Sequence, residues 1–220
     1  VFDSKQSSPF LAELYHRYLE DGDTAGFVAR TAERYFQGTL CRLLAHADRR
    51  VRRAAALALG FLGDYGANQA LGEALRDEDR PVRLLAEEAI RNVWLRPGDP
   101  EQSQCLRILV RLNCARLYQE AVKRATEWSR QYRHLPELFN QRAAAYYALN
   151  AYAQSVSDCQ KTLALNPYHF TAAAGMGYAQ LRMREFRAAL ESFRRALRIN
   201  PNLDGVRVQI NRLNRLLEGR

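Results

Sequence analysis

The sequence predicts an all-α fold built as a solenoid of antiparallel helix pairs. Three observations carry this reading. Of 220 residues, 32 are Ala, 30 are Leu and 30 are Arg, all strong helix formers. Gly and Pro are scarce, at 12 and 7, which argues against a turn-rich all-β chain. The chain also repeats itself at two fixed spacings, 31 residues in its first half and 34 in its second, as helical-repeat arrays do. An apolar content of 47% can bury a core and excludes a disordered chain.

Ser8-Pro9 is a good helix start, with Pro in the first turn. Leu11, Leu14, Tyr15, Tyr18 and Leu19 then give an apolar face. Asp21-Gly22-Asp23 reads as a turn and cap. Phe27, Val28, Ala32, Tyr35 and Phe36 read as a second helix, and the pair is expected to cap the N-terminal end.

Thr39–Asp64 and Ala70–Trp94 align without a gap. Leu40 matches Leu71, Leu44 matches Leu75, Asp48 matches Asp79, and Val51-Arg52 matches Val82-Arg83. Each copy has room for two helices, with Asp48 placed to cap the second. Val51, Ala55, Ala58, Leu59 and Leu62 recur at three- and four-residue steps, and Gly63 stops the helix. A short Leu-rich helix, then D-x-x-V-R, then A-A-x-A-L-G-x-L-G-D resembles the HEAT-like repeats of the phycobilisome-lyase type. The first copy fits more fully than the second.

Arg96-Pro97-Gly98-Asp99-Pro100 ends any helix. Beyond it Asn166-Pro167 and Asn200-Pro201 stand 34 residues apart, as do Tyr152 and Phe186. One copy reads Ala173, Met176, Gly177, Gln180, Ala189, Phe193, Pro201. The copy before it reads Phe139, Arg142, Ala143, Tyr146, Ser155, Cys159, Pro167. A degenerate one reads Cys105, Ile108, Leu109, Leu112, Ala121, Ala125. This pattern resembles the tetratricopeptide (TPR) repeat. Small residues such as Ala143, Gly177, Ala189 and Ala196 are expected where helices cross. Tyr152, Phe186 and Phe193 are expected to fill gaps between repeats. The expected organisation is a cap over 1–38, two HEAT-like repeats over 39–96, a linker at 97–101, three TPR repeats over 102–203, and a capping helix over 204–220.

No catalytic constellation is present: no nucleophile elbow, no Walker loop, and no GxGxxG after a strand. The chain therefore reads as a non-enzyme with no implied cofactor or metal. Cys41, Cys105, Cys114 and Cys159 form no CxxC and read as reduced, mostly buried thiols. His16, His46, His134 and His169 are scattered. Asp77-Glu78-Asp79 and Glu87-Glu88 read as solvated surface, the second pair with Arg83 and Arg91 as exposed ion-pair partners. The longest apolar run, Ala54 to Gly63, is too short to span a bilayer. A cytoplasmic protein is expected. The chain opens on Val1 rather than Met, which leaves room for a longer native protein.

The net charge of +9 is local. Residues 48–99 are balanced, residues 100–136 carry +4 and residues 170–220 carry +6. Arg182, Arg184, Arg187, Arg194, Arg195 and Arg198 do not form one stripe, and Glu191 is expected to pair with Arg187 or Arg195. The resemblance implies a protein-interaction scaffold that binds a partner protein or peptide on its curved surface. Matching to TPR proteins puts Asn113, Asn140, Gln141, Tyr147, Thr171, Tyr178, Arg182 and Arg212 on the inner wall. Where some of these proteins carry a Lys/Asn/Arg clamp for a C-terminal carboxylate, this chain has Leu106, Val110, Gln141, Thr171 and Gly175. That argues against an EEVD-type tail. Nucleic-acid or polyanion binding by the basic end is the alternative. Bilin-lyase-like chromophore handling is a remote one, suggested by the repeat type alone.

Overall fold

The computed structural model describes residues 10–219, so the helix start expected at Ser8-Pro9 lies outside the described residues. Regular structure among them is helical throughout. The chain divides into two compact units between Val93 and Trp94. No described helix is long and apolar enough to cross a membrane.

The N-terminal unit contains α1 (Phe10–Asp21), α2 (Thr24–Arg34), α3 (Gln37–Leu43), α4 (Arg49–Leu62), α5 (Asn68–Ala74) and most of α6 (Arg80–Trp94). Helix α1 buries Leu11, Leu14 and Tyr15 and packs on α2 and α4. Leu19, expected on that apolar face, is instead 62% exposed. Gly22 turns the chain with a φ of 69°, and the Asp23 carboxylate accepts the Gly26 N–H at the start of α2. That helix ends at Arg34, two residues earlier than the sequence suggests. Phe36 is the N-cap of α3 and stands 88% exposed.

The 31-residue period has a visible cause. Arg52 Nη1 donates to the carbonyls of His46 and Ala47 at 3.0 and 3.1 Å. Thirty-one residues on, Arg83 Nη1 donates to the carbonyls of Asp77 and Glu78 at 2.9 and 3.1 Å. In each copy the Arg of D-x-x-V-R folds back over the inter-helix turn and satisfies its carbonyls. Asp48 caps α4, as expected, and Gly63 ends it. A Cβ on Gly60 would lie 3.4 Å from the Ala89 Cβ, so α4 and α6 approach closely at small residues.

Asp77 and Asp79 are largely buried ion-pair partners rather than solvated surface, whereas Glu78 is exposed, as expected. Arg52 reaches Asp77 at 2.8 Å and Glu78 at 3.1 Å. Arg53 holds both oxygens of Asp79, at 2.8 and 2.7 Å. The acids of the second copy thus receive the arginines of the first. Arg91 pairs with Glu87 at 2.9 Å.

The C-terminal unit begins with Trp94 and contains α7 (Pro100–Cys114), α8 (Tyr118–Trp128), α9 (Pro136–Ala148), α10 (Tyr152–Leu165), α11 (Phe170–Arg182), α12 (Phe186–Ile199) and α13 (Asp204–Glu218). Asp99 caps α7, with Pro100 in its first turn. Successive helices pack as antiparallel pairs, α7 with α8, α9 with α10 and α11 with α12, and α13 packs on α12.

Period 34 is written into the backbone. Arg116, Asn150 and Arg184, spaced 34 apart, are the described non-glycine residues with left-handed φ, at 59°, 61° and 62°. Each reverses the chain between the two helices of a pair, and the residue after it donates back to a helix carbonyl: Leu117 to Leu112, Ala151 to Tyr146, Glu185 to Gln180. These are Schellman-type C-caps, with Arg at two positions where Gly or Asn is usual. The two Asn-Pro steps are also equivalent. Asn166 Oδ1 accepts the Tyr168 N–H and Asn200 Oδ1 accepts the Asn202 N–H, each at 3.0 Å.

Small residues fall where expected. A Cβ on Gly177 would meet the Phe193 ring at 2.7 Å, so α11 and α12 could not cross at this separation with any larger residue. Arg142 on α9 ties three helices: it grips both oxygens of Asp158 on α10, at 2.7 and 2.8 Å, and reaches Thr126 on α8 at 3.1 Å. Glu191 pairs with Arg194, at 2.7 Å, rather than with Arg187 or Arg195. Of the thiols, Cys105 and Cys159 are buried, Cys41 is half-buried and Cys114 is exposed.

Hydrogen bonds from Arg53, against the opposing effect of burial, hold the Asp79 carboxyl down at about 2. A depressed folded-state value means that this contribution to stability is complete above the ordinary 3.8 and is lost as pH falls toward about 2. The thermal midpoint of the protein is therefore expected to fall over that interval. Asp79→Asn should lower stability at neutral pH and flatten the acid limb. An equally steep limb in the variant would mean that other carboxylates carry it.

Candidate functional site

One buried carboxylate organises the inner side of the C-terminal unit. Glu137 lies in the first turn of α9 and is 5% exposed. Its oxygens accept from Gln141 Nε2 at 2.6 Å and from Asn140 Nδ2 at 3.2 Å. The Nε2 of His169, itself fully buried, lies 2.8 Å from Oε2. The other ring nitrogen of His169 accepts the Ala172 N–H at 3.3 Å, capping α11, and lies 3.1 Å from Thr171 Oγ1. Nδ1 therefore acts as an acceptor, which leaves the Nε2 proton for Glu137. The Trp94 ring stacks on the imidazole at 3.9 Å. On the other side, Asn113 Nδ2 donates to the Gln141 carbonyl and side-chain oxygen at 3.0 and 2.8 Å. A chain of hydrogen bonds thus links α7, α9 and the start of α11.

Above this network, α9, α10 and α11 enclose an open cavity of about 500 Å³. Asn140, Tyr147, Thr171 and Tyr178 line it, and Gly175 and Cys159 contribute to its floor. Its aromatic walls are braced. Tyr178 packs edge-on against Phe193 at 5.0 Å, and Tyr147 against Tyr152 at 5.5 Å. Arg182 covers the Tyr152 ring at 4.9 Å. Burial pushes the Cys159 thiol up to about 12, so at neutral pH it is an uncharged, apolar patch of floor. The cavity offers hydroxyl and amide groups around an apolar base, with no acidic or basic side chain in its lining.

The expected inner-wall residues thus fall into four groups. Asn140, Tyr147, Thr171 and Tyr178 meet at the cavity. Asn113 and Gln141 lie in the hydrogen-bonded support behind it, and Arg182 braces its wall. Arg212 lies elsewhere, in a second cleft on α13. Sequence reasoning passed over Glu137 and His169, which hold the group together. The available signal was faint: an acid three and four residues before two amides, on a helix opened by proline.

A family model for HEAT repeats matches residues 28–91. Hsp70-Hsp90 organizing protein 1 of Glycine max is 31% identical over 106 residues, covering 46% of this chain and 18% of that protein. The chain thus spans under a fifth of the length of such relatives. The first TPR of Spaghetti (RPAP3), solved with the HSP90 peptide SRMEEVD, has 25% identity and a TM-score of 0.50 over 53% of this chain and 95% of that one. The Sgt2 TPR domain of Aspergillus fumigatus has 20% identity and a TM-score of 0.51 over 55% of this chain and 81% of that one, and shows the fold. Residues 28–91 are thus similar to HEAT repeats, and about half of the chain is similar in fold to tetratricopeptide domains.

Removing the Glu137 carboxylate leaves the donors of buried His169 and of half-buried Asn140 and Gln141 without their acceptor. Glu137→Ala is expected to lose about 3 kcal/mol in urea unfolding, and Glu137→Gln, which keeps one acceptor oxygen, distinctly less. Equal losses in both would mean that the charge, not the hydrogen-bond pattern, is what the site requires.

Proposed function

We propose that this chain is a non-catalytic protein-interaction scaffold whose C-terminal array holds an extended partner segment along α9 and α11. The 102–203 stretch is read as three TPR repeats closed by a capping helix over 204–220, after two HEAT-like repeats over 39–96. The observation that carries the function is the braced cavity. Two tyrosines held by neighbouring rings present apolar area at little entropic cost, while Asn140 and Thr171 supply adaptable hydrogen bonds. The neutral floor suits apolar or small side chains of a peptide.

Spaghetti binds its HSP90 peptide through a domain of this fold, which supports peptide binding as the mode. The chemistry of the end group is read differently here. Leu106 is fully buried, and Gln141 is engaged with Glu137 and Asn113. With Val110, Thr171 and Gly175 at the other clamp positions, a C-terminal carboxylate meets no cation. The partner is therefore held by an internal segment.

The test is selection of peptides from a random display library on the full chain, followed by affinity measurement. Selected peptides are expected to bind equally well with a free or an amidated C-terminus, and to lose roughly tenfold in affinity on Tyr178→Ser or Tyr147→Ser. Peptides indifferent to both substitutions would refute the groove. Tight binding of SRMEEVD that is lost on amidation would refute the internal-segment reading.

A further inference from the structure

The cleft that contains Arg212 differs in chemistry from the central cavity. The last turn of α11, the first residue of α12 and one face of α13 enclose about 970 Å³. Leu181, Phe186, Val208 and Leu216 make its walls apolar. Val208 is 62% exposed and Leu216 42%, so this apolar surface is open to solvent. Arg212 and Arg215 line the same cleft, three residues apart and therefore on one helix face. Both are exposed, and neither makes an ion pair or side-chain hydrogen bond among the described residues.

Register explains why the positive charge gathers here. Arg212 and Arg215 stand 34 residues after Tyr178 and Leu181. Positions that are neutral on α11 are cationic on α13. No acid offsets them within the lining. Asp204, in the first turn of α13, lies 3.8 Å from Arg207. Glu185 and Glu218 are exposed and outside the lining. The +6 carried by residues 170–220 adds a favourable field for an anion.

We propose that this cleft is a docking site for an acidic amphipathic segment of a partner protein, separate from the central groove. A purely apolar occupant would cover Arg212 and Arg215 without pairing them, a desolvation penalty with no return. A nucleic acid would pair the arginines with phosphates but find a single aromatic side chain, Phe186, among mainly aliphatic walls, which is a poor stacking platform. A segment with Asp or Glu beside Leu or Phe satisfies both halves of the surface. Its acids meet the two guanidiniums, and its apolar side chains cover Val208, Leu216 and Phe186. Long-range attraction speeds its arrival, and the apolar contact slows its departure.

The experiment uses the full chain and fluorescence anisotropy. The probe is a short labelled amphipathic peptide with Glu and Asp on one face and Leu and Phe on the other. Companion probes replace its acids by Gln and Asn, or its apolar residues by Ser, and a single-stranded DNA oligonucleotide serves as the competing polyanion. Arg212→Glu with Arg215→Glu, and separately Val208→Ser with Leu216→Ser, are each expected to weaken binding roughly tenfold or more. Both altered peptides should bind comparably weakly, while Tyr147→Ser and Tyr178→Ser leave the interaction unchanged. All four cleft positions are exposed, so the variants are expected to keep the parent melting curve, which serves as the folding control. Three outcomes overturn the proposal: no binding of the acidic peptide, binding insensitive to either pair of substitutions, or an oligonucleotide held as tightly as the peptide with no dependence on Val208 and Leu216. None of these bears on the central groove, whose own test reads Tyr147 and Tyr178.

Discussion

A carboxylate placed inside a helical array must be paired, and the inner face of the C-terminal unit follows from how Glu137 is paired. Burying an unpartnered carboxylate would cost several kcal/mol. Glu137 meets that requirement with donors from its own helix and from the histidine that begins α11. The pairing turns Asn140 so that it can serve both the network and the cavity edge, and fixes Gln141 where Asn113 can reach it. His169 is held twice, by Glu137 and by the backbone it caps. The start of α11, and with it Thr171, is therefore set by contacts made on α9. Trp94 closes the far side of the imidazole.

Close helix packing is the second constraint, and it acts with the first. Gly177 lets α11 lie against Phe193, and Phe193 in turn supports the edge of Tyr178. Arg142 gathers α8, α9 and α10 around one guanidinium. A cavity wall made this way is braced by its own packing, and bracing of this kind limits the entropy a binding surface loses on association. In the N-terminal unit the corresponding device is electrostatic. Arginines of one repeat lie over its own turn and reach the acids of the next. Arg52, Arg53 and Arg83 of this charge-balanced stretch are thereby engaged within the fold, while the net positive charge lies in the C-terminal unit.

Local, repeated features were legible in the sequence. The Asn-Pro steps, the Asp48 cap and the glycine at a helix crossing each act within a few residues or recur at a fixed spacing, so pattern alone reveals them. Asn140, Tyr147, Thr171 and Tyr178, grouped by register in the sequence, line one cavity. Long-range choices were not legible. Glu137 and His169 are 32 residues apart and belong to no motif, so nothing local marks them as partners. The left-handed turns at Arg116 and Arg184 were hidden because Arg rarely adopts that conformation. Asp77 and Asp79 looked like solvated acids because their partners, Arg52 and Arg53, are contributed by the preceding repeat. Phe36 looked like helix interior because a helix pattern does not announce its last residue.

The two units thus reach the same end by different routes, each presenting a helical surface fixed by contacts that skip a repeat length. Those surfaces leave two openings: a neutral, tyrosine-walled cavity between α9 and α11, and a cationic, apolar cleft on α13. The most direct measurement is amide hydrogen exchange on the full chain, with and without a peptide selected to bind it. If the cavity is the seat of the partner, added protection should concentrate in 136–148 and 170–182 and be absent from the N-terminal unit. Protection confined to α1–α6, or to α13 with α9 and α11 unchanged, would contradict it.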